Sequence, residues 1–173
     1  TELFHDSYAF FSSASAPLVR HFESYAAQIK EKYLSPGDLV VDIGSNDGAL
    51  LQFFLPEHRV LGVEPSSNVA EAARKNGIET IVEFFNEEMA KRIVETHGKA
   101  KVVTANNVFA HIDDLDEIVR GIKTLLTDDG VFVSESHYLL DLVRHMEFDT
   151  VYHEHLCYYS VKPLQYLFER FDM

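Results

Sequence analysis

Apolar positions along this chain come in two alternating arrangements. Short runs that are almost solidly apolar occupy residues 39–43, 60–63, 101–105 and 130–134, with a weaker one at 78–82. Such runs suit strands buried on both faces. Between them, apolar residues recur every three or four positions, as on one face of a helix. Helices are expected over residues 49–54, 68–75, 87–96, 115–126 and 161–171. An earlier helix is expected from a Ser15 cap, with Pro17 in its first turn, to about residue 33; Leu18, Phe22, Tyr25 and Ile29 mark its apolar face. The Ser35-Pro36-Gly37-Asp38 run stops it, Gly77 and Gly98 close two later helices, and Ser160 caps the last. Strands alternating with helices at this spacing predict an α/β fold, a mostly parallel sheet with right-handed crossovers and helices on its faces. The expected division is an entry loop and helix over residues 1–36 and a core over 37–173, forming one domain. The alternation is cut short at its far end, so one sheet edge should be left uncovered, as in a piece of a longer protein.

Composition narrows the partners. The 173 residues carry a formal net charge of -13, which argues against nucleic acid and anionic membranes. Cys157 is the single cysteine, so neither an internal disulfide nor a cysteine-rich zinc site is available. No stretch reaches the roughly 18 apolar residues of a spanning helix. A cytoplasmic protein is expected.

The run Asp42-Ile43-Gly44-Ser45-Asn46-Asp47-Gly48 follows the first strand, where a glycine turn lets a ligand approach the backbone. Gly44 suits the tight turn, and Gly48 suits close packing beyond it. Asn46 stands where a dinucleotide site has its second glycine, and its side chain argues against a pyrophosphate. Asp42 and Asp47 favour a cationic group instead. Glu64 lies 20 residues after Gly44 at the end of the second strand, placed to accept the hydroxyls of a ribose.

A second cluster, Tyr152-His153-Glu154-His155-Leu156-Cys157-Tyr158-Tyr159-Ser160, follows the fifth strand. Imidazoles, a carboxylate and phenols so close together can take a proton and hold a developing oxyanion. His111, a few residues beyond the fourth strand, falls on the same rim of the sheet. Two histidines one residue apart fall short of the three protein ligands of catalytic zinc, so no metal is expected. No serine sits in a nucleophile elbow.

The acid-led turn with its ribose acid resembles the class I methyltransferases that use S-adenosylmethionine, with their Rossmann-like fold. The resemblance gives the adenine to the loop after the third strand, at Phe84 beside Phe85, and the methionine end to Asn106-Asn107-Val108. It narrows with Val40–Gly48, Leu61-Gly62-Val63-Glu64-Pro65, Asn106–His111, Tyr152-His153-Glu154-His155 and the early Ser7–Ser13 run. Together these resemble the sugar C-methyltransferases of deoxysugar biosynthesis, which methylate C-3' of nucleotide-linked 4-keto sugars. The resemblance implies that His155 is the base, that Glu154 orients it or contacts the sugar, and that Tyr8, Tyr152 and His111 bind the sugar and its oxyanion. It also implies a zinc-binding domain and a C-terminal domain beyond this chain. An O- or N-methyltransferase of another metabolite and a non-catalytic cofactor module are the alternatives.

Overall fold

The computed structural model describes residues 8–173; Ser7, the first residue of the early Ser7–Ser13 run, lies outside them. Helix α1 (Ala16–Tyr33) comes first, and the Ser15 side chain accepts from Leu18 N as its cap. Five strands follow: β1 (Leu39–Ile43), β2 (Arg59–Val63), β3 (Thr80–Ile81), β4 (Ala100–Asn106) and β5 (Leu126–Glu135). Helices α2 (Ser67–Lys75), α3 (Glu87–His97) and α4 (Leu115–Leu125) connect them, and α5 (Leu139–His145) and α6 (Val161–Glu169) close the chain. The sheet order is β3-β2-β1-β4-β5, and every pairing is parallel. The expected doubly wound α/β sheet is therefore present.

The pleat of β1 divides the core. Leu39, Val41 and Ile43 face a cluster with Met89 and Ile93 of α3 and Ile122 and Leu125 of α4. Val40 faces the other way, onto Phe22, Ala26 and Ile29 of α1 together with Leu51, Phe54 and Ile78. Burying Phe22 and Ile29 contributes about 1.5–3 kcal/mol each, which docks α1 onto the sheet.

Several elements differ from the expectation. Residues 49–54 form one 3-10 turn, Leu51–Phe54, and not an α-helix. Gly48 is left-handed before it and Pro56 follows closely, so there is room for a single turn, which still buries Leu51 and Phe54. Strand β3 is only two residues long. Ser160 holds the cap position of α6, but its side chain makes no capping hydrogen bond. Helix α5 was not anticipated; at 7 residues it is too short to show a period. Strand β5 lies at the sheet edge, and Val131, Phe132 and Val133 are only partly covered. Among the described residues no helix is long and apolar enough to cross a membrane.

Candidate active site

All five strands point the same way, so the loops after them gather at one edge of the sheet. The turn after β1 folds over the end of β2: Gly44 N and Ser45 N both donate to Val63 O, at 2.8 and 3.2 Å. Gly44 has φ +70°, and a Cβ there would lie 2.5 Å from Val108 Cγ2 of the loop after β4. Only glycine meets both demands. Asn46 is left-handed too, with φ 50°, a conformation asparagine tolerates.

The acids of this turn are deeply buried. Glu64 Oε2 accepts from Asn46 N and Oε1 from Ser66 N, both at 2.9 Å. Burial pushes the Glu64 carboxyl above the usual carboxylate range, and these N–H groups oppose the shift. Burial pushes Asp42 up to about 7, against the hydrogen bond from Thr104 Oγ1 and with a further push from Glu64. That bond measures 2.7 Å. Among the described residues none of Asp42, Asp47 and Glu64 stands in an ion pair.

Among the buried polar atoms here with no hydrogen-bond partner are Asp47 Oδ1 after β1 and Asn106 Nδ2 at the end of β4, along with Ser45 Oγ of the same turn, Ser66 Oγ and Asn68 Oδ1. Each such orphan costs about 1–3 kcal/mol unless a ligand satisfies it. A carboxylate oxygen and an amide donor at neighbouring strand ends match the ammonium and carboxylate of an amino-acid moiety. The residues present therefore fit the methionine end of S-adenosylmethionine. Tyr25 of α1 donates to Asn106 Oδ1 at 3.1 Å and so occupies the acceptor side of that amide. Of the adenine candidates, Phe84 is 45% exposed after β3, whereas Phe85 is buried in the core beside Gly121. Asn46 was expected at the cofactor, but both polar atoms of its side chain are bonded to residues 10 and 12.

The second cluster is tied to the 3-10 turn Phe109–His111 after β4. Leu156 N donates to Ala110 O at 2.7 Å, Tyr159 Oη to Phe109 O at 3.0 Å, and His111 Nδ1 to Glu154 O at 2.8 Å. Burial lowers the His111 imidazole below its ordinary range, which favours the neutral ring. His155 Nδ1 donates to Thr150 O at 2.9 Å. A carbonyl can only accept, so Nδ1 carries the proton and Nε2 of the neutral ring carries the lone pair. Nε2 lies 3.2 Å from Tyr152 Oη.

His155 is half-buried and in ring contact with His111 at 4.9 Å, Tyr152 at 4.4 Å and Tyr158 at 5.8 Å. His153 is exposed and touches only the Tyr152 ring among these. No described hydrogen bond joins the Glu154 carboxylate to His155, so the orienting part expected of Glu154 falls to the Thr150 carbonyl. The Glu154 charge instead acts on Tyr8, Tyr152 and His111. Tyr8 is half-buried between the two ends; burial raises its phenol first, then Glu154 and Glu64.

Sequence reasoning missed His137. Its ring lies 5.7 Å from that of His155. With Asn107, Ser136, Cys157 and Tyr158 it lines a small recess beside His155. The signal available was its position just after the fifth strand. No three His, Cys, Asp or Glu side chains among the described residues are grouped to hold a metal ion.

Residues 18–173 match the family described as Methyltransferase domain. The chain is 39% identical over 164 residues to the C-methyltransferase NovU of Streptomyces niveus, covering 94% of this chain and 39% of that protein. It is 37% identical over 111 residues to the ribosomal protein L11 methyltransferase of Caldicellulosiruptor bescii, covering 60% of this chain and 34% of that protein. The chain thus spans well under half the length of either relative. The plantazolicin methyltransferase BpumL, solved with a pentazolic desmethylPZN analog and SAH, superposes with a TM-score of 0.69 at 13% identity, over 92% of this chain and 66% of that one. A SAM dependent methyltransferase from Archaeoglobus fulgidus gives 0.69 at 18% identity, over 86% and 67%. At these identities the two structures share the fold.

Proposed function

This chain belongs to the methyltransferase domain family, and we propose that it is the catalytic core of an S-adenosylmethionine-dependent C-methyltransferase acting at C-3' of a nucleotide-linked 4-keto deoxysugar. The observation that carries the reading is the tautomer of His155. Its Nδ1–H is spent on Thr150 O, and its Nε2 accepts from Tyr152 Oη, a hydroxyl the acceptor sugar displaces. An imidazole so oriented, with an accepting nitrogen, suits the part of a general base. An O- or N-acceptor has less need of such a base than a carbon acceptor, whose C–H must first be broken. The C-methyltransferase activity of the relative at 39% identity supports the same choice.

His155 Nε2 takes the C-3' proton, which the adjacent 4-keto group acidifies. The electrons of the C–H bond pass to the C-4' oxygen as an enolate. Tyr152 and His111 flank the base and hold that oxygen and the sugar hydroxyls, and Tyr8 closes the site from the entry segment. Bound S-adenosylmethionine supplies the methyl group that C-3' takes. Asp42, Gly44, Gly48, Glu64 and Asn106 cradle the cofactor, with Glu64 at the ribose, Asn106 and Asp47 at the amino-acid end and Phe84 at the adenine.

The test is solvent exchange. In deuterated water the protein should exchange C-3' hydrogen of a nucleotide-linked 4-keto deoxysugar. His155→Asn should abolish both exchange and methyl transfer while cofactor affinity stays within about 0.5 kcal/mol. Exchange that persists in His155→Asn rejects His155 as the base. A wild-type protein that methylates without exchanging carbon-bound hydrogen rejects the carbon acceptor.

A further inference from the structure

Residues 8–13 lie across the turn after β1, held there by side chains and not by a strand ladder. Asn46 Oδ1 accepts from Ser12 N at 2.9 Å, and Asn46 Nδ2 donates to Phe10 O at 3.0 Å. Phe11 between them is extended, with φ -111° and ψ 118°. In a parallel ladder one residue bonds the carbonyl before and the amide after the residue opposite it. The Asn46 amide makes that pair of bonds. It takes the place of one residue of a parallel neighbour strand, with Phe11 as its opposite number.

Two further bonds fix the same segment. Asp47 Oδ2 accepts from Ser13 N at 3.1 Å, and Asn68 Nδ2 donates to Tyr8 O at 2.8 Å. The main chain of Asn46 meanwhile donates to Glu64 Oε2 at 2.9 Å. One residue thus joins the acid at the end of β2 to the segment that carries Tyr8.

We propose that Asn46 is a positioning residue for the acceptor and not a cofactor ligand: its amide fixes residues 10–12 on the cofactor turn and thereby sets Tyr8 against the Tyr152–His155 cluster. The proposal rests on the reading of the two ends given above. It means that the cofactor turn and the Tyr8 phenol move as one hydrogen-bonded unit, so disorder in the turn reaches the acceptor through Asn46.

Asn46→Gly tests it, because glycine keeps the left-handed backbone and removes only the amide. Asn46→Asp retains an acceptor for Ser12 N and loses the donor to Phe10 O. Three quantities are measured in the full protein: chymotrypsin cleavage at Phe10 and Phe11, affinity for S-adenosylhomocysteine, and KM and kcat for the keto sugar. Loss of two hydrogen bonds predicts cleavage and acceptor KM each raised about 10-fold in Asn46→Gly, with product affinity changed less than about 2-fold. Asn46→Asp should fall between wild type and Asn46→Gly in both. A large loss of S-adenosylhomocysteine affinity with cleavage unchanged would overturn the proposal and make Asn46 a cofactor ligand. Faster cleavage with unchanged acceptor KM would overturn it as well. Failure of the substrate reading shows separately, as a wild-type protein that turns over no keto sugar, and the cleavage rates then still decide whether Asn46 holds the segment.

Discussion

The cofactor end of the site is held by main chain at the buried edge of the sheet, whereas the acceptor end lies on a segment with little regular structure. That segment combines side-chain anchors with two main-chain ties, Leu156 N to Ala110 O and Leu139 N to Tyr159 O. At the first end, strand β1 is buried throughout, Gly44 and Ser45 bond the end of β2, and Glu64 receives two main-chain N–H groups. At the second, residues 151–160 form no helix or strand, and their side-chain anchors are His111, Tyr158 and Tyr159 reaching carbonyls. The first end is therefore part of the folding core, and its geometry comes with the sheet. In the second, Tyr159 is rooted in the core beside Phe109, while Tyr152 to His155 stand outside it and can change with less effect on the sheet.

Three measurements would break or sharpen this contrast. The largest effect on stability is expected from Gly44→Ala, which puts a left-handed alanine against Val108 Cγ2. It should cost about 2–4 kcal/mol in urea denaturation and weaken the cofactor product with it. A variant with normal stability would show that the turn is not part of the core.

The next effect depends on pH. Asp42 sits near 7 in the folded protein because of burial, against about 3.9 in the unfolded chain. Between those values the folded state binds the extra proton, so stability should fall as pH rises from about 4 to about 7. Asp42→Asn should flatten that fall, since its amide oxygen still accepts from Thr104. A cationic cofactor favours the ionised acid, so wild-type binding should tighten with rising pH over the same window, and the Asn variant should lack that gain. An unchanged pH dependence would remove Asp42 from this role.

The smallest effect is expected from Tyr152→Phe. The residue is exposed on the attached segment, so stability should change by less than about 0.5 kcal/mol. Turnover should nevertheless drop, because the hydroxyl beside His155 Nε2 is gone. A large loss of stability would mean that Tyr152 also belongs to the core.

The same contrast decides what could be read from the sequence. Strands buried on both faces leave solid apolar runs, and the acid-to-glycine and glycine-to-acid spacings survive in the linear order, so β1, β2, the turn and Glu64 were all legible. The engagement of Asn46 was not, because its partners Phe10 and Ser12 lie 36 and 34 residues away. His137 stood alone, and nothing local tied it to His155. Tyr25 read correctly as part of an apolar helix face, but only the packing of α1 shows its hydroxyl at Asn106. Composition marked the Tyr152–Ser160 run as chemical without separating His153 from His155. The Thr150 carbonyl and the burial of one ring separate them.

Helix α1 carries a consequence for anyone recombining this domain with a relative. The turn Ser35-Pro36-Gly37-Asp38 invites a crossover, because little regular structure is cut there. Yet Tyr25 contacts Asn106 from the far side of that seam, and His21, stacked on Tyr25, meets Glu135 at the end of β5. Phe10 and Ser12 also lie on the far side, bonded to Asn46. A chimaera joined there would pair the strand ends of one parent with the supporting side chains of the other. Exchanging parents ahead of residue 8, or swapping only the stretch after β5, keeps each of these partnerships within one inheritance.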